Sequence, residues 1–435
     1  MDELVTLLTT DLVAITRGRG FMPAALEGYL TRGCGWVPAN MALTPFDLIA
    51  EDNPWGSAGD LRLMPDPATA IRLEGLGTTP LHTYFSDITG LDGTPWECCP
   101  RSLLKRAVAA LEREAGLVPV AAFEHEFQIL GADWAPAPAF SIAAARRADP
   151  FGPGLMGLLK AAGLEPEMFL PEYGTDQFEV TCRPAGALAA ADRAVALRMI
   201  VRELAAHQGW RASFAPKTAP DGVGNGVHIH LSFRDREGQP ATYDPARPGG
   251  LSEAAGRFAA GVVRHMPALL ALTAPSPLSY LRLVPHHWSA AYSCLGLRNR
   301  EAALRICPIP ELPGTDPAKV ANFEFRATDA TANPYLALAA LIFAGLEGLR
   351  AGLAQPPLVN TDPSGMTEAE RARLGAHRLP ESLPAALEAF RADAAVQSWL
   401  PPVLSDCLVA VKRKELSLVA DLTPEELCDR YAAIY

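Results

Sequence analysis

Two glutamates, two residues apart in an apolar alternating segment, constrain the fold of this chain most. Glu124 and Glu126 lie in Ala-Ala-Phe-Glu-His-Glu-Phe-Gln-Ile-Leu. Residues at i and i+2 of a strand project from the same face, so the segment predicts a strand with two carboxylates side by side. Because burying an unpaired carboxylate is costly, such a pair must be neutralised or must hold a cation.

Further ligand-type side chains follow in a fixed order. The segment Asn-Gly-Val-His-Ile-His-Leu-Ser-Phe predicts a second alternating strand with His228 and His230 on one face. Glu172, Glu179 and Glu324 also lie in strand-like or turn settings. Carboxylates suit Mg2+, and an added imidazole widens the choice towards Mn2+. Each residue alone is explained as well by a salt bridge, but their joint occurrence favours a divalent-metal site.

Composition sets the class of protein. The chain has 435 residues and 49% hydrophobic content, which predicts a large core and two domains. A net charge of −11 argues against nucleic acid as the main partner. The sequence shows neither a signal-peptide pattern nor an apolar run long enough to cross a membrane, so we expect a cytoplasmic protein. The eight cysteines lack CxxC spacing and suit reduced thiols.

The pattern also predicts the main elements. Residues 1–95 indicate short strands and turns rich in Gly and Pro, and helical spacing begins at Ser102 and ends at Gly116. We expect further helices over 186–208, 252–273 and 335–349, the last opened by Asn333-Pro334. The segment 354–384, rich in Pro, Thr and Asp, indicates a surface connection.

Six motifs in order resemble those of the glutamine synthetase superfamily, and the resemblance as a whole runs from about Asp60 to Leu349. They are Phe-Glu-His-Glu, Pro-Glu-Tyr-Gly-Thr-Asp-Gln-Phe-Glu-Val, Gly-Asn-Gly-Val-His-Ile-His, Arg-Leu-Val-Pro, Arg-Asn-Arg-Glu-Ala-Ala-Leu-Arg-Ile and Phe-Glu-Phe-Arg-Ala-Thr-Asp-Ala-Thr-Ala-Asn-Pro-Tyr-Leu.

The resemblance implies an α+β fold with two domains. Residues 1–98 would form a β-grasp domain, and residues 99–435 a catalytic domain with a curved antiparallel sheet flanked by helices. It also implies homo-oligomeric rings with active sites between subunits, a dodecamer of two hexamers being favoured.

The resemblance assigns roles to particular residues. It implies two or more Mg2+ or Mn2+ ions per site, with ATP as co-substrate. The metal ligands would be Glu126, Glu172 and Glu179 on the amino-acid side and Glu124, His228 and Glu324 on the nucleotide side. Nucleotide binding would involve His230, Ser232, Arg305 and Lys319. Substrate binding would involve Arg282, Arg300, Arg326, Gly224 and Asn225, with Arg300 and Arg326 also catalytic. Each arginine taken alone would be explained equally well by a surface ion pair.

Departures from the family pattern bear on the amine substrate. After Arg282-Leu-Val-Pro, ammonia-using members carry a glutamate that helps take a proton from bound ammonium, and here Trp288 stands in its place. Asp47 persists without the hydroxyl neighbours of an ammonium pocket, since Leu48 and Ile49 follow it. An indole suits a larger amine through packing or cation–π attraction, although Trp288 would equally fit a loop-packing role. The sequence therefore resembles the branch that joins glutamate to polyamines or alkylamines.

The proton-accepting base and the exact reaction stay open. Asp47 is one candidate base, and His286 or His287 would titrate in a useful range. Asp176 replaces a usual glycine near the metal ligands and would reshape the amino-acid pocket. The alternatives are a glutamine synthetase that uses ammonia, a ligase for another carboxylic acid, and a non-catalytic regulator or scaffold of the same fold.

Overall fold

The computed structural model describes residues 3–287 and 289–435. Trp288, the main residue behind the prediction of an amine substrate larger than ammonia, lies outside the described residues.

The first part of the chain forms a mixed sheet with one short helix. Its strands are β1 (Val5–Thr10), β2 (Thr16–Phe21), β3 (Cys34–Trp36), β4 (Leu61–Pro65), β5 (Ile71–Leu73) and β6 (Leu81–Thr89), and its helix is α1 (Leu26–Arg32). The strand order is β2-β1-β6-β4-β3, with β5 beside β6. Strand β1 pairs with β6 in parallel, whereas the other pairs are antiparallel.

The second part is built on a larger sheet. Its strands are β7 (Val118–Leu130), β8 (Pro166–Pro171), β9 (Gln177–Cys182), β10 (Ala185–Gly186), β11 (Arg211–Ser213), β12 (Val227–Arg234), β13 (Tyr292–Leu297), β14 (Ala302–Ile306), β15 (Phe323–Phe325) and β16 (His377–Arg378). In the described residues the strand order is β16-β13-β14-β15-β12-β7-β9-β8, with β10 and β11 both beside β7. Among the strands of this sheet that the structure describes, all pairings are antiparallel except β13 with β14.

Helices flank this sheet and complete the chain. They are α2 (Pro100–Ala115), α3 (Ile142–Arg147), α4 (Phe151–Ala161), α5 (Ala187–His207), α6 (Glu253–Thr273), α7 (Ser279–Arg282), α8 (Pro317–Val320), α9 (Pro334–Arg350), α10 (Glu368–Leu374), α11 (Leu383–Ala392), α12 (Ala394–Trp399), α13 (Pro402–Leu418) and α14 (Pro424–Ala432). The apolar faces of α2, α5, α6 and α9 are buried in one continuous core.

Local sequence signals explain where the long helices begin and end. Helix α2 ends where Gly116 adopts a left-handed conformation, which glycine reaches without strain. The side chain of Ser252 accepts the Ala255 amide before α6, and that of Asn333 accepts two amides before α9. The four helices predicted from periodicity are therefore confirmed to within two residues at each end.

Helices α6 and α9 approach unusually closely. A side chain on Gly261 would overlap the carbonyl oxygen of Ala344, and one on Gly348 would overlap that of Arg257. Glycine at these crossing points lets the two backbones pack directly.

One buried arginine joins the two parts of the molecule. The Arg101 guanidinium lies 2.9 Å from Asp66 Oδ2, 3.2 Å from Asp87 Oδ1 and 2.9 Å from Asp192 Oδ2. Asp66 follows β4 and Asp87 lies on β6, whereas Asp192 belongs to α5. The hydroxyl of Tyr335 also donates to Asp192, at 2.6 Å. This network holds the first sheet against the helices of the second part.

The α+β class with a curved, mostly antiparallel sheet is confirmed. Three details differ from the sequence prediction. Helix α1 lies in the region expected to hold only strands and turns, α10 lies in the expected connection 354–384, and β13 pairs with β14 in parallel. Both missed helices are only seven residues long, too short for apolar periodicity to reveal them.

Among the described residues, no helix has both the length and the apolar character needed to cross a membrane.

Candidate active site

Strand register brings the predicted ligands together. Glu124 on β7 stands opposite His228 on β12, and Glu126 on β7 stands opposite Glu179 on β9. Glu324 on β15 is opposite His230 on one side and Arg305 on the other. Because alternate residues share a face, the antiparallel register places these side chains on one surface of the sheet.

These side chains line a cavity of about 620 Å3 on that surface. All six predicted metal ligands take part: Glu124, Glu126, Glu172, Glu179, His228 and Glu324. The lining also includes His230, Arg300, Arg305 and Arg326 from the predicted nucleotide and substrate sets. The fold therefore gathers ten of the predicted residues around one space.

On one side of the cavity, carboxylates are paired with histidine and arginine side chains. Glu124 lies 3.3 Å from His228 Nδ1 and 3.0 Å from His230 Nε2. Glu324 lies 2.9 Å from Arg305 and 2.5 Å from Arg326. Burial opposes ionisation of both glutamates, yet their hydrogen bonds with the histidines hold the pKa of each well below its usual range. These two carboxylates are therefore ionised at neutral pH.

On the other side, carboxylates face one another. Burial, with the charge of Glu126 beside it, raises the pKa of Glu172 to about 7. Burial and three neighbouring glutamates raise the pKa of Glu179 to about 9. Like charges this close favour protonation of these two carboxylates.

The residues present fit a bound divalent cation. The ligand atoms of Glu124, His228 and Glu324 all lie within 4.8 Å of one another. The Nε2 atom of His228 is buried and finds no hydrogen-bond partner among the described residues. This imidazole nitrogen and the hard carboxylate oxygens beside it together form a set of ligand atoms that suits Mg2+ or Mn2+.

The arginines differ in where they lie. Arg300 is exposed at the cavity, and Arg326 is buried beneath it, donating through Nε to the Arg300 carbonyl at 3.1 Å. Arg282 does not line this cavity. It is buried and donates to the carbonyl oxygens of Thr328 and Arg326, at 3.1 and 3.3 Å. The side chain of Arg282 thus supports the segment after β15, which carries Arg326.

A loop containing Gly224 and Asn225 lies against the carboxylates. Gln177 donates through Nε2 to the Gly224 carbonyl and to Asn225 Oδ1, both at 2.9 Å. The side chain of Asn225 donates in turn, through Nδ2, to the Ala215 carbonyl oxygen. The amide of the next residue, Gly226, donates to Glu126 at 2.7 Å. The loop is therefore held next to a predicted metal ligand, while the Asn225 side chain is used within the protein.

A second cavity, of about 300 Å3, adjoins the first. Ser232 and Lys319 line it, and it shares Glu124 and His230 with the larger cavity. Lys319 extends into solvent there, with 72% of its side chain exposed. The four predicted nucleotide residues thus surround two connected spaces.

The candidate bases do not line the carboxylate cavity of their own chain. Asp47 is 75% exposed and lies 2.9 Å from Arg17 in the first part of the molecule. His286 is exposed and contacts Asp362 and Ser364. Burial and the nearby charge of Lys217 lower the pKa of His287.

Asp176, expected near the metal ligands, forms a 2.7 Å ion pair with Arg147, so its carboxylate is engaged outside the ligand set.

The sequence reasoning missed four residues that line the cavity: Phe140, Leu170, Cys307 and Pro308. Two had a usable signal, since Leu170 is two residues before Glu172 and Cys307 is two residues after Arg305, spacings that favour a shared face. Phe140 lies in an irregular Pro-rich segment whose position no periodicity predicts.

Comparisons with known proteins agree with this architecture. Residues 97–431 match the glutamine synthetase catalytic domain, and residues 1–96 match a glutamine synthetase N-terminal domain. The chain is 37% identical to the gamma-glutamylpolyamine synthetase GlnA3 of Streptomyces coelicolor, over 98% of this chain and 92% of that protein. It is 34% identical to a glutamine synthetase of Thermococcus kodakarensis, over 78% of this chain and 75% of that protein.

Solved structures show the same fold. A crystal structure described as a novel glutamine synthase homolog superposes with a TM-score of 0.92 at 50% identity, covering 100% of this chain and 99% of that one. A structure of a GmaS/ADP complex superposes with a TM-score of 0.82 at 26% identity, covering 97% and 95%.

The fold and the carboxylate-lined cavity are those of a glutamine synthetase-type ligase. This chain belongs to the glutamine synthetase family.

Proposed function

We propose that this protein is an ATP-dependent carbon–nitrogen ligase that forms a γ-glutamyl amide from glutamate and an organic primary amine. The observation that carries the proposal is the composition of one cavity, where five carboxylates and three arginines meet an apolar wall of Phe140, Leu170 and Pro308. The similarity to a gamma-glutamylpolyamine synthetase over nearly the whole chain supports the same reaction class.

The carboxylates and His228 would hold the divalent cations. Glu126, Glu172 and Glu179 would hold one beside the amino acid, and Glu124, His228 and Glu324 another beside the nucleotide. Bound there, such cations supply charge neutralisation between two anionic reactants and polarise the γ-phosphate.

The arginines would bind the anionic reactants. Guanidinium groups suit phosphoryl and carboxylate oxygens because their planar donors match these groups in pairs. Arg300, exposed at the cavity, would contact the transferred phosphoryl group, and Arg326 would support it from below. His230, Ser232, Arg305 and Lys319 would surround ATP, because they line the two connected cavities.

The reaction would proceed in two steps. An oxygen of the glutamate γ-carboxylate attacks the γ-phosphorus of ATP, and ADP leaves. The amine nitrogen then attacks the acyl carbon, and phosphate leaves as the C–N bond forms. A base takes the proton that the attacking nitrogen loses, and Asp47, His286 and His287 are the candidates that the sequence offers.

Asp47 would act in a neighbouring subunit. It is exposed and does not line the cavity of its own chain, so its role requires a ring in which one subunit's first sheet borders the next subunit's site. We propose such homo-oligomeric rings for this chain, a dodecamer of two hexamers being favoured.

Aromatic side chains at the cavity support an amine larger than ammonia. Phe140 lines the cavity, and Tyr173 directly follows the lining residue Glu172. The two side chains are 56% and 57% exposed, and their ring centroids lie 6.3 Å apart. Phe140 has a positive φ of 58°, an uncommon conformation for a residue with a side chain, so the fold holds this ring in place at some cost. Exposed rings at an anionic cavity suit the carbon chain of an organic amine or the charge of a polyamine. Trp288 stays a further prediction for this wall.

The test is phosphate release from ATP, glutamate and Mg2+ or Mn2+, with mass detection of the products. The amines are ammonium and a panel of alkyl, hydroxyalkyl, aromatic and polyamine nucleophiles. We expect a γ-glutamyl amide to form from an organic amine far faster than glutamine forms from ammonium. Phe140→Ala should raise the KM for that amine while leaving the KM for ATP unchanged.

Other outcomes would identify the alternatives. Preferential formation of glutamine would identify an ammonia-using glutamine synthetase and refute the amine proposal. Turnover only with another carboxylic acid would change the first substrate. Absence of metal-dependent ADP release with every amine and acid would favour a non-catalytic regulator or scaffold.

A further inference from the structure

Cys307 brings a thiol into contact with two residues of the cavity. Its Sγ lies 3.7 Å from His230 Nδ1 and 3.8 Å from Glu324 Oε2. Cys307 follows β14 directly and lies between the carboxylate cavity and a third cavity lined by Tyr243 and Leu312. No role assigned above uses this thiol.

We propose that Cys307, His230 and Glu324 form a binding site for a soft or borderline divalent cation such as Zn2+ or Cd2+. The ligand atoms of the three residues all lie within 4.8 Å of one another. This site is separate in its chemistry from the hard-cation set, because a thiolate prefers softer metals. The proposal does not depend on the ligase activity proposed above.

The distances fit coordination by one ion. With metal–sulfur bonds of about 2.3 Å and metal–nitrogen or metal–oxygen bonds of about 2.0–2.2 Å, tetrahedral geometry separates sulfur from either ligand by roughly 3.6 Å. The observed separations, 3.7 and 3.8 Å, are close to that value. Small side-chain rotations would therefore suffice to close the site around an ion.

Metal binding would replace protons on the ligand atoms with the cation. The thiol of Cys307 loses its proton to solvent as the metal–sulfur bond forms, and no electron is transferred. His230 Nδ1, which now lies 2.8 Å from the acceptor Asn322 Oδ1, would also release a proton to solvent and then donate its lone pair to the ion. Glu124, 3.0 Å from His230 Nε2, or a water molecule would complete four ligands.

The site overlaps residues proposed for Mg2+ and ATP. A bound soft cation would occupy Glu324 and His230 together, so it would withdraw a ligand from the hard cation and a contact from the nucleotide. Zn2+ or Cd2+ would then compete with productive metal binding, while Mg2+, which has little affinity for a thiolate, would not displace them efficiently.

The experiment is titration of the purified full chain with Cd2+, followed by the sulfur-to-metal charge-transfer absorption in the ultraviolet. We expect one Cd2+ per chain with a thiolate band that persists in excess Mg2+. Cys307→Ser should abolish the band and weaken Cd2+ binding by more than the ~10–100-fold that loss of an outer-shell partner costs. His230→Ala should weaken binding with the thiol still present.

Cys182→Ser is the matched control, because Cys182 is buried on β9 and lines the adjoining cavity. This variant should keep the full band, and thermal melting should show that each variant is folded. An unchanged band in Cys307→Ser would overturn the proposal, and so would a band that disappears in Cys182→Ser instead. Either result could occur in an active ligase, so it would leave the proposed function standing.

Discussion

Glu126 and Glu179 stand directly opposite each other on the antiparallel strands β7 and β9. Facing like charges destabilise a sheet, and burial adds to the cost here. Register, rather than sequence proximity, creates this pair, since 53 residues separate the two glutamates along the chain. The pair is the structural reason to expect a cation at this position.

Replacing one member of the pair should therefore raise the stability of the metal-free protein and weaken metal binding. We expect Glu179→Gln to stabilise the metal-free protein at neutral pH, because a glutamine at this position needs no proton uptake on folding, whereas the pKa of Glu179 is raised to about 9. The rise in melting temperature that Mn2+ gives the parent protein should disappear. Thermal melting with and without Mn2+ measures both effects.

The exposed Glu237→Gln serves as the control and should keep the full response to Mn2+. A Mn2+ response that survives in Glu179→Gln would show that this carboxylate does not bind the ion.

Metal affinity should rise with pH. The pKa of Glu172 is raised to about 7 and that of Glu179 to about 9, so both carry protons in the metal-free protein below these values. A bound cation needs the ionised form, and binding must displace the protons. Affinity for Mn2+ should therefore increase through the window from about 7 to about 9 and level off above it.

Calorimetric titrations with Mn2+ in buffers of different ionisation enthalpy would count the protons released. We expect release near neutral pH and less release in Glu179→Gln. Affinity that is constant across the window would contradict the raised pKa values.

Arg300 should matter for turnover and not for folding. Because it is exposed at the cavity, Arg300→Ala should leave the free energy of unfolding within about 0.5 kcal/mol of the parent. Turnover should fall by roughly 100-fold or more, as expected when a donor to developing charge is removed. Denaturant unfolding and phosphate-release kinetics on one preparation would give both numbers.

The exposed Arg298 provides a neighbouring control, because it pairs with Glu311 outside the carboxylate cavity. Arg298→Ala should retain normal turnover, and an equal loss in both variants would argue for a general effect of loop charge.

Arg101 should matter for folding. Its guanidinium is buried among Asp66, Asp87 and Asp192, so Arg101→Met leaves three carboxylates without their shared cation. Breaking a buried network in this way typically costs about 3–5 kcal/mol. Denaturant unfolding should show a loss of this size.

Lys105→Met is the comparison, since Lys105 is more exposed and pairs only with Asp87 among these carboxylates. It should cost no more than about 1 kcal/mol. Similar losses in the two variants would mean that the network does not join the two parts of the molecule.

Sequence patterns by themselves predicted four long helices and two strands that carry candidate metal ligands. Periodicity placed α2, α5, α6 and α9, because each is long and buries a continuous apolar stripe. Alternation placed Glu124 and Glu126 on one face of β7, and His228 and His230 on one face of β12. These are local properties of the backbone, so neighbouring residues suffice to predict them.

Only the tertiary structure decided which side chains meet. The pairing of β7 with β9 and β12 set Glu126 against Glu179 and Glu124 against His228, and no local pattern encodes that register. Tertiary packing also buried Arg282 against the carbonyl oxygens of Thr328 and Arg326 and brought Phe140 and Cys307 into the cavity wall. Contacts across the sheet join residues distant along the chain, so their selection depends on how the whole core packs.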